Sequence, residues 1–269
     1  MSKISNSNRK NAMSEIKTYS NKHGRTFKSQ QHDVFDRCAN SIYQITSLRY
    51  LRDLVPTARR IVDVGANVGT NTMEYATWAK QVESFECLDK TFELLEHNVN
   101  TNIMLGAQGV PWYKDSSTAI TADITLHRTA LMDRVGSAFV SEREHGLSSF
   151  VRYDTGEQGC ATATIDSFGW SNVDIIKADT EGTEWLIIQG ARKTIERCRP
   201  VVQVEMWNWE KRFGLNNQDL LDYFRSINYK QTNNAGDIIP WDEPGRWNKA
   251  KAKVAGHKYS AMDRFFVPL

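Results

Sequence analysis

Cysteine is scarce in this chain: Cys38, Cys87, Cys160 and Cys198 lie far apart and never form a C-x-x-C pair. That spacing provides neither a zinc site nor a disulfide framework, so the thiols read as reduced side chains in a reducing compartment. Long apolar runs are missing too. None approaches the roughly 20 residues needed to cross a bilayer, so no membrane span is expected. The basic N-terminus has no hydrophobic segment behind it and does not read as a secretory signal, which makes a cytoplasmic location the expectation. Charge of one sign is not in excess either. Lys+Arg number 34 against 32 Asp+Glu, a formal net charge of +2. That balance makes no strong case for a nucleic-acid partner. Internal repeats are also absent. What is there, 269 residues at 40% hydrophobic and 25% charged, is enough for one α/β domain with a substantial core, while two catalytic domains would be cramped.

Residues 1–30 are rich in Ser, Asn, Lys and Arg, with little apolar surface to offset ordering, and read as a flexible basic arm. Residues 31–269 read as a single domain. Val34, Cys38, Ile42, Ile45 and Leu48 recur at helical spacing until Pro56. A buried strand is predicted at 60–65, then a helix over 71–80 with Asn71 and Glu74 as its starting pair. A second strand covers 82–86, and Leu88, Phe92, Leu95 and Val99 mark the helix after it. Residues 120–126 alternate like a strand. The stretch 136–160, with Gly136, Gly146, Gly156 and Gly159, is loop-like, and a lid or substrate loop is expected within 103–160. The pattern then sharpens into a strand at 173–178, a helix at 184–197, a strand at 201–204, a helix at 218–227 and a last strand at 265–267. Short, continuously apolar strands alternating with helices predict an α/β, doubly wound and mostly parallel sheet with helices on both faces.

In such a sheet, ligands sit beyond the carboxyl ends of the strands. Directly after the first strand comes Asp63-Val64-Gly65-Ala66-Asn67-Val68-Gly69-Thr70. Gly65 can turn sharply, and Gly69 lets a helix N-terminus approach a ligand, although a tight strand-to-helix turn alone would also explain the pair. The dinucleotide fingerprint G-x-G-x-x-G is not present, because Asn67 stands where its second glycine belongs. Asp63 would sit awkwardly beside a pyrophosphate but suits a ligand carrying an ammonium and a sulfonium. Glu86 closes the second strand, where an acid can accept hydrogen bonds from both hydroxyls of a ribose.

These residues resemble the FkbM-type methyltransferases. The matching stretches are IVDVGANVGTNT (61–72), FECLDKTFELLEHNV (85–99), TIDSFGWSNVDIIKADTEGTEWLIIQGA (164–191) and RPVVQVEMW (199–207), and K-x-D-x-E-G at 177–182 is the most specific mark. Cys87 departs from the pattern, standing where the family usually has Pro. The resemblance implies a Rossmann-like, seven-stranded sheet and S-adenosylmethionine as cofactor. It implies a cofactor site drawn from Asp63, Gly65, Ala66, Asn67, Gly69, Thr70, Glu86, Cys87 and Leu131. It also implies methyl transfer to a hydroxyl of a sugar, glycolipid or small natural product. Residues 103–160 barely match, and substrate choice is expected to lie there.

Methyl transfer is an in-line displacement helped chiefly by holding acceptor, methyl and sulfur collinear, and an alcohol must also lose its proton to a base or a metal. The catalytic candidates are Asp179, Glu181 and Lys177 at the end of the fourth strand and Glu205 at the end of the fifth. Strand alternation puts Lys177 and Asp179 on one side. A plain ion pair is the other reading of Lys177. Asp179 is a base, a metal ligand (Mg²⁺ if any) or an orienter of the hydroxyl, and the residues leave that choice open. His145 reads as a solvent-exposed loop histidine or a base; His97 faces outward without a role; Trp207, Trp209 and Phe213 pack in the core or stack on a sugar. Ribose 2′-O-methylation of RNA is the main rival. A nicotinamide oxidoreductase would need the missing glycine, and a base N-methyltransferase would carry Asn/Asp-Pro-Pro-aromatic where this chain has Asp179-Thr180-Glu181-Gly182. A non-catalytic nucleotide-binding module is disfavoured by the intact Asp63, Glu86 and Asp179.

Overall fold

The computed structural model describes residues 16–21, 23–29, 44–106, 111, 113, 118–142, 149–206, 214–242 and 263–269. In chain order these give β1 (Lys17–Ser20), β2 (Thr26–Ser29), α1 (Ile45–Leu54), β3 (Ala58–Val64), α2 (Thr70–Tyr75), β4 (Ala79–Phe85), α3 (Asp89–Leu105) and β5 (Asp123–His127). Then come β6 (Ala130–Leu131), β7 (Gly136–Glu142), β8 (Ser149–Arg152), β9 (Gln158–Ala163), a 3-10 turn (Ile165–Phe168), β10 (Ile175–Ala178), α4 (Glu184–Gln189) and α5 (Arg192–Cys198). The chain ends with β11 (Val201–Glu205), α6 (Asn217–Ser226), β12 (Tyr229–Thr232) and β13 (Asp263–Pro268).

Seven strands form one sheet in the order β12-β13-β11-β10-β3-β4-β5. β11, β10, β3, β4 and β5 pair in parallel, whereas β13 runs antiparallel to both of its neighbours. The sheet is therefore mixed by one reversed strand, and otherwise as expected. Side chains alternate between the faces. Val62, Val64, Phe85, Ile176, Ala178, Val202 and Val204 share a core with Ile187 and Ile188 of α4, Ile195 of α5 and Phe224 of α6. Ile61, Val82, Ile175, Val201 and Phe265 share another with Leu48 and Leu51 of α1 and Tyr75 of α2. Each such buried aliphatic side chain stabilises by about 1.5–3 kcal/mol, so both layers are firmly held around the central strands.

Several elements depart from the sequence reading. α2 stops at Tyr75, and Asn71 and Glu74 do not make a capping pair: Gly69 precedes the helix in the left-handed region with no side-chain cap. Glu74 instead meets Arg25 at 3.4 Å. The helix expected over 184–197 is two helices. Gly190 runs so close to the Met132 carbonyl that a Cβ would lie 2.0 Å from its oxygen. Asp166 then captures the backbone amides of Lys193 at 3.1 Å and Thr194 at 2.8 Å, which starts α5 afresh.

The stretch 136–160 is a sheet rather than a loop. β7 and β9 pair antiparallel, as do β7 and β8, and β6 adds in parallel, giving the order β6-β9-β7-β8. Ala138, Val140 and Val151 turn inward onto Leu88 and Met132, an alternation too short among glycines to stand out. Part of the supposed arm is ordered as well: β1 and β2 form an antiparallel hairpin whose Arg25 and Phe27 are buried. Residues 34–43 of the first helical pattern, His145, and the cluster Trp207, Trp209 and Phe213 lie outside the described residues. No helix among the described residues is long and apolar enough to cross a membrane.

Candidate active site

β3 runs into a turn in which Gly65, Asn67 and Gly69 have φ of 75°, 51° and 89°. Three left-handed residues in five make this segment costly to order without outside restraint. Glycine is required at the first of them: a Cβ on Gly65 would lie 2.0 Å from the Asp179 carbonyl oxygen, so the turns after β3 and β10 touch backbone to backbone. At Gly69 a Cβ would meet Leu95 at 2.8 Å, so that glycine serves helix packing.

Asp63 does not face the crevice. It is 0% exposed; Thr72 donates to its Oδ2 at 2.7 Å, and Lys177 Nζ lies 3.3 Å from its Oδ1. The expectation that it contacts a cofactor directly is corrected by this geometry, in which it anchors α2 and Lys177. Lys177 is 2% exposed and donates to the carbonyls of Gly65 at 2.8 Å and Val64 at 3.3 Å. Burial disfavours its charge, but Asp63, Asp179 and Glu205 outweigh that and hold its pKa above the ordinary lysine range. A buried, permanently charged ammonium is a poor proton carrier, so Lys177 is a positioning residue rather than the catalytic one expected.

Glu86 is buried at the end of β4. Its Oε1 accepts the amides of Cys87 at 2.9 Å and Leu88 at 3.0 Å, and its Oε2 accepts the amide of Asn67 at 3.2 Å. Burial raises its pKa, and those amides and Lys177 pull it partly back. A carboxylate has about four acceptor positions. With three in use, the fourth suits one ribose hydroxyl, not the pair expected. Thr70 is half-buried and opens α2, Ala66 and Cys87 are buried beside the turn, and Leu131 packs into the main core.

On the other side of the turn, the Asp179 side chain is 21% exposed and stands 3.8 Å from Lys177 Nζ. Gln44 Nε2 donates to its Oδ2 at 3.3 Å, and Asn71 Nδ2 donates to Gln44 Oε1 at 2.8 Å. Glu181, at φ 61°, and Glu205 are half-buried nearby along the strand ends. The structure thus gathers Asp63, Gly65, Lys177 and Asp179 into one unit joined by the Lys177–Gly65 hydrogen bond and the ion pairs of Lys177.

The family model of the methyltransferase FkbM domain matches residues 63–231, more than half of the chain. The chain belongs to this family. No curated protein matches it. Among solved structures it is similar to the methyltransferase FkbM from Methylobacillus flagellatus KT, at 16% identity over 82% of this chain and a TM-score of 0.47. The chain spans about half, 47%, of that protein's length. It is also similar to a precorrin 8w decarboxylase from Methanobacterium thermoautotrophicum, at 12% identity over 86% of this chain and 91% of that one, TM-score 0.41. A precorrin-6y C5,15-methyltransferase from Geobacter metallireducens GS-15 follows at 12% identity over 69% and 70% of the two chains, TM-score 0.39.

Sequence reasoning missed three groups. Glu184 is buried under the turn after β10, where one oxygen accepts the Thr180 amide at 2.8 Å, the Thr180 hydroxyl at 3.2 Å and the Gly182 amide at 3.2 Å. Burial pushes its carboxyl up to about 7. It lies inside the K-x-D-x-E-G segment's continuation, yet only the folded turn reveals its task. Asp263 opens β13 opposite Glu205 and accepts the Ser47 hydroxyl at 2.6 Å; burial, reinforced by Asp179, pushes it to about 6. Tyr75 is fully buried, its hydroxyl has no hydrogen-bond partner among the described residues, and burial together with Asp63, Asp263 and Asp179 raises its pKa far above the ordinary value. Among the described residues no group of three or more His, Cys, Asp or Glu is disposed to hold a metal ion, so the magnesium expectation finds no donor set.

Proposed function

We propose that this FkbM domain moves the methyl group of S-adenosylmethionine to a hydroxyl of a small, sugar-like acceptor, and that it works in the cytoplasm with Cys87, Cys160 and Cys198 as free thiols. The residues present fit that cofactor. Glu86 Oε2 keeps an acceptor position for a ribose hydroxyl, and Asn71 Oδ1, buried at the start of α2 without a hydrogen-bond partner among the described residues, is an acceptor suited to an ammonium. When bound, S-adenosylmethionine supplies an electrophilic methyl on a positively charged sulfur.

The observation that carries the reading is the placement of Asp179. Its backbone abuts Gly65 and its Oδ2 is fixed by Gln44 and faced by Lys177, while Oδ1 accepts no bond from the described residues. Oδ1 is the atom positioned to orient an acceptor hydroxyl and take its proton. The half-buried carboxylates of Glu181 and Glu205 add acceptors that suit further hydroxyls of a polyol. Lys177 holds the two turns in register, so acceptor and cofactor sides keep a fixed separation.

The test is Asp179→Asn in the full chain. Methyl-labelled cofactor is incubated with a panel of glycans, small alcohols and RNA to find the acceptor, and turnover of the variant should fall by about a hundredfold or more. Its affinity for S-adenosylhomocysteine should stay near that of the unaltered protein, and EDTA should leave turnover unchanged. Full turnover by the variant ends the base assignment, and labelling of RNA in place of glycans replaces the acceptor class.

A further inference from the structure

The hairpin β1–β2 lies outside the residues matched by the family, yet it is tied to the turn that serves the cofactor. Asn98 of α3 receives the Lys28 amide at 2.7 Å and donates to the Lys28 carbonyl at 3.0 Å, the pairing that a neighbouring strand would supply. Asn102, one helical turn on, repeats it with the Thr26 amide at 3.0 Å and carbonyl at 2.8 Å. Asn98 Nδ2 also donates to the Val68 carbonyl at 2.9 Å. One buried amide thus joins the hairpin to the middle of the left-handed turn. Two further contacts run the same way. Phe27 shares an apolar cluster with Ala66, Val68 and Met73. Arg25, 1% exposed, pairs with Glu74 of α2 and donates to the Thr118 carbonyl at 2.6 Å.

We infer that the N-terminal hairpin is a positioning element for cofactor binding, holding the 65–69 turn through Asn98. The physical need is plain: a turn with three left-handed residues persists only when its surroundings over-determine it. Part of that restraint comes from the hairpin.

The inference rests on the cofactor reading above, and two measurements separate them: titration calorimetry with S-adenosylhomocysteine, and amide hydrogen exchange of the ligand-free chain. Asn98→Ala should weaken binding about tenfold, the scale of one lost buried hydrogen bond, and Asn102→Ala, which loses hairpin bonds but none to the turn, by under about threefold. Exchange across 65–69 should quicken most in Asn98→Ala and by a smaller factor in Asn102→Ala, which loosens the hairpin alone. Phe27→Leu, a milder change that leaves every hydrogen bond in place, should also quicken it, and stands in if Asn98→Ala fails to fold. Unchanged affinity and exchange in Asn98→Ala overturn the inference. So does equal weakening by both asparagine variants, which is a loss of general stability. If the unaltered protein does not bind S-adenosylhomocysteine, the cofactor reading falls, and exchange across 65–69 still decides whether the hairpin restrains the turn.

Discussion

Replacing Glu184 by Gln should change how stability depends on pH. In the folded chain burial lifts this carboxyl from 4.5 to about 7, with Asp179 adding to the rise and the Thr180 and Gly182 amides opposing it. Its folded pKa is therefore above its unfolded one. The stability it contributes is fully present below about 4.5 and is lost as pH rises through about 7, because the unfolded chain releases the proton first. That rise in pKa corresponds to roughly 3 kcal/mol, most of which is lost between pH 5 and pH 8. A glutamine oxygen can still accept the two amides without carrying charge. Urea unfolding followed by circular dichroism at pH 5, 6, 7 and 8 should show Glu184→Gln gaining roughly 2–3 kcal/mol on the unaltered protein across that range. Comparing the two proteins at each pH cancels the other titrations. A constant difference from pH 5 to pH 8 would refute the reasoning.

Lys177→Met should destabilise the fold by about 3–5 kcal/mol in urea unfolding, because it leaves the buried Asp63 carboxylate unpaired; a loss below about 1 kcal/mol would show that the pair is not coupled. Gly65→Ala should give no stably folded protein, since its Cβ would run into the Asp179 backbone at a φ of 75°, whereas Gly69→Ala, which meets only side-chain ends of Leu95 and Val99, should fold with a lowered Tm. Thermal melts of the two distinguish these outcomes, and equal melts would contradict the close approach at Gly65. Glu86→Gln should weaken binding of S-adenosylhomocysteine by about tenfold and lower Tm by a few degrees, because an amide nitrogen must now face one of the three amides that the carboxylate accepts. Unchanged affinity in a folded variant would remove Glu86 from the cofactor site.

The parts of this fold that were legible are those whose signal is local. The apolar runs of β3, β10 and β11, the glycines at a turn that demands positive φ, and the acids placed directly after strands all follow from short-range chemistry. The hairpin β1–β2 was not legible, because what orders it is a pair of asparagines some 70 residues away rather than its own composition. The strands β7 to β9 hid for a similar reason: Leu88 and Met132, which cover them, come from outside the stretch.

The role of Asp63 was misjudged on a different ground. Its position near the end of an apolar strand marks it as a site residue, but position along the chain does not say whether the carboxylate faces a ligand or a neighbouring strand. The register of β10 on β3 settles that, since it sets Lys177 directly beside Asp63. Lys177 and Asp179 are two residues apart on β10 and its exit, so the same ammonium reaches both carboxylates and the Gly65 carbonyl between them. The K-x-D pair is legible as a spacing, while its third member belongs to another strand. It follows that Lys177 acts on both halves of the site at once. It pairs with Asp63, which holds the first turn of α2 through Thr72, and it faces Asp179, the carboxylate proposed above as the base. Moving the lysine by one residue along β10 would turn its side chain to the opposite face of the sheet and separate the two halves. The spacing of the motif is therefore a requirement of the sheet's register as much as of the chemistry.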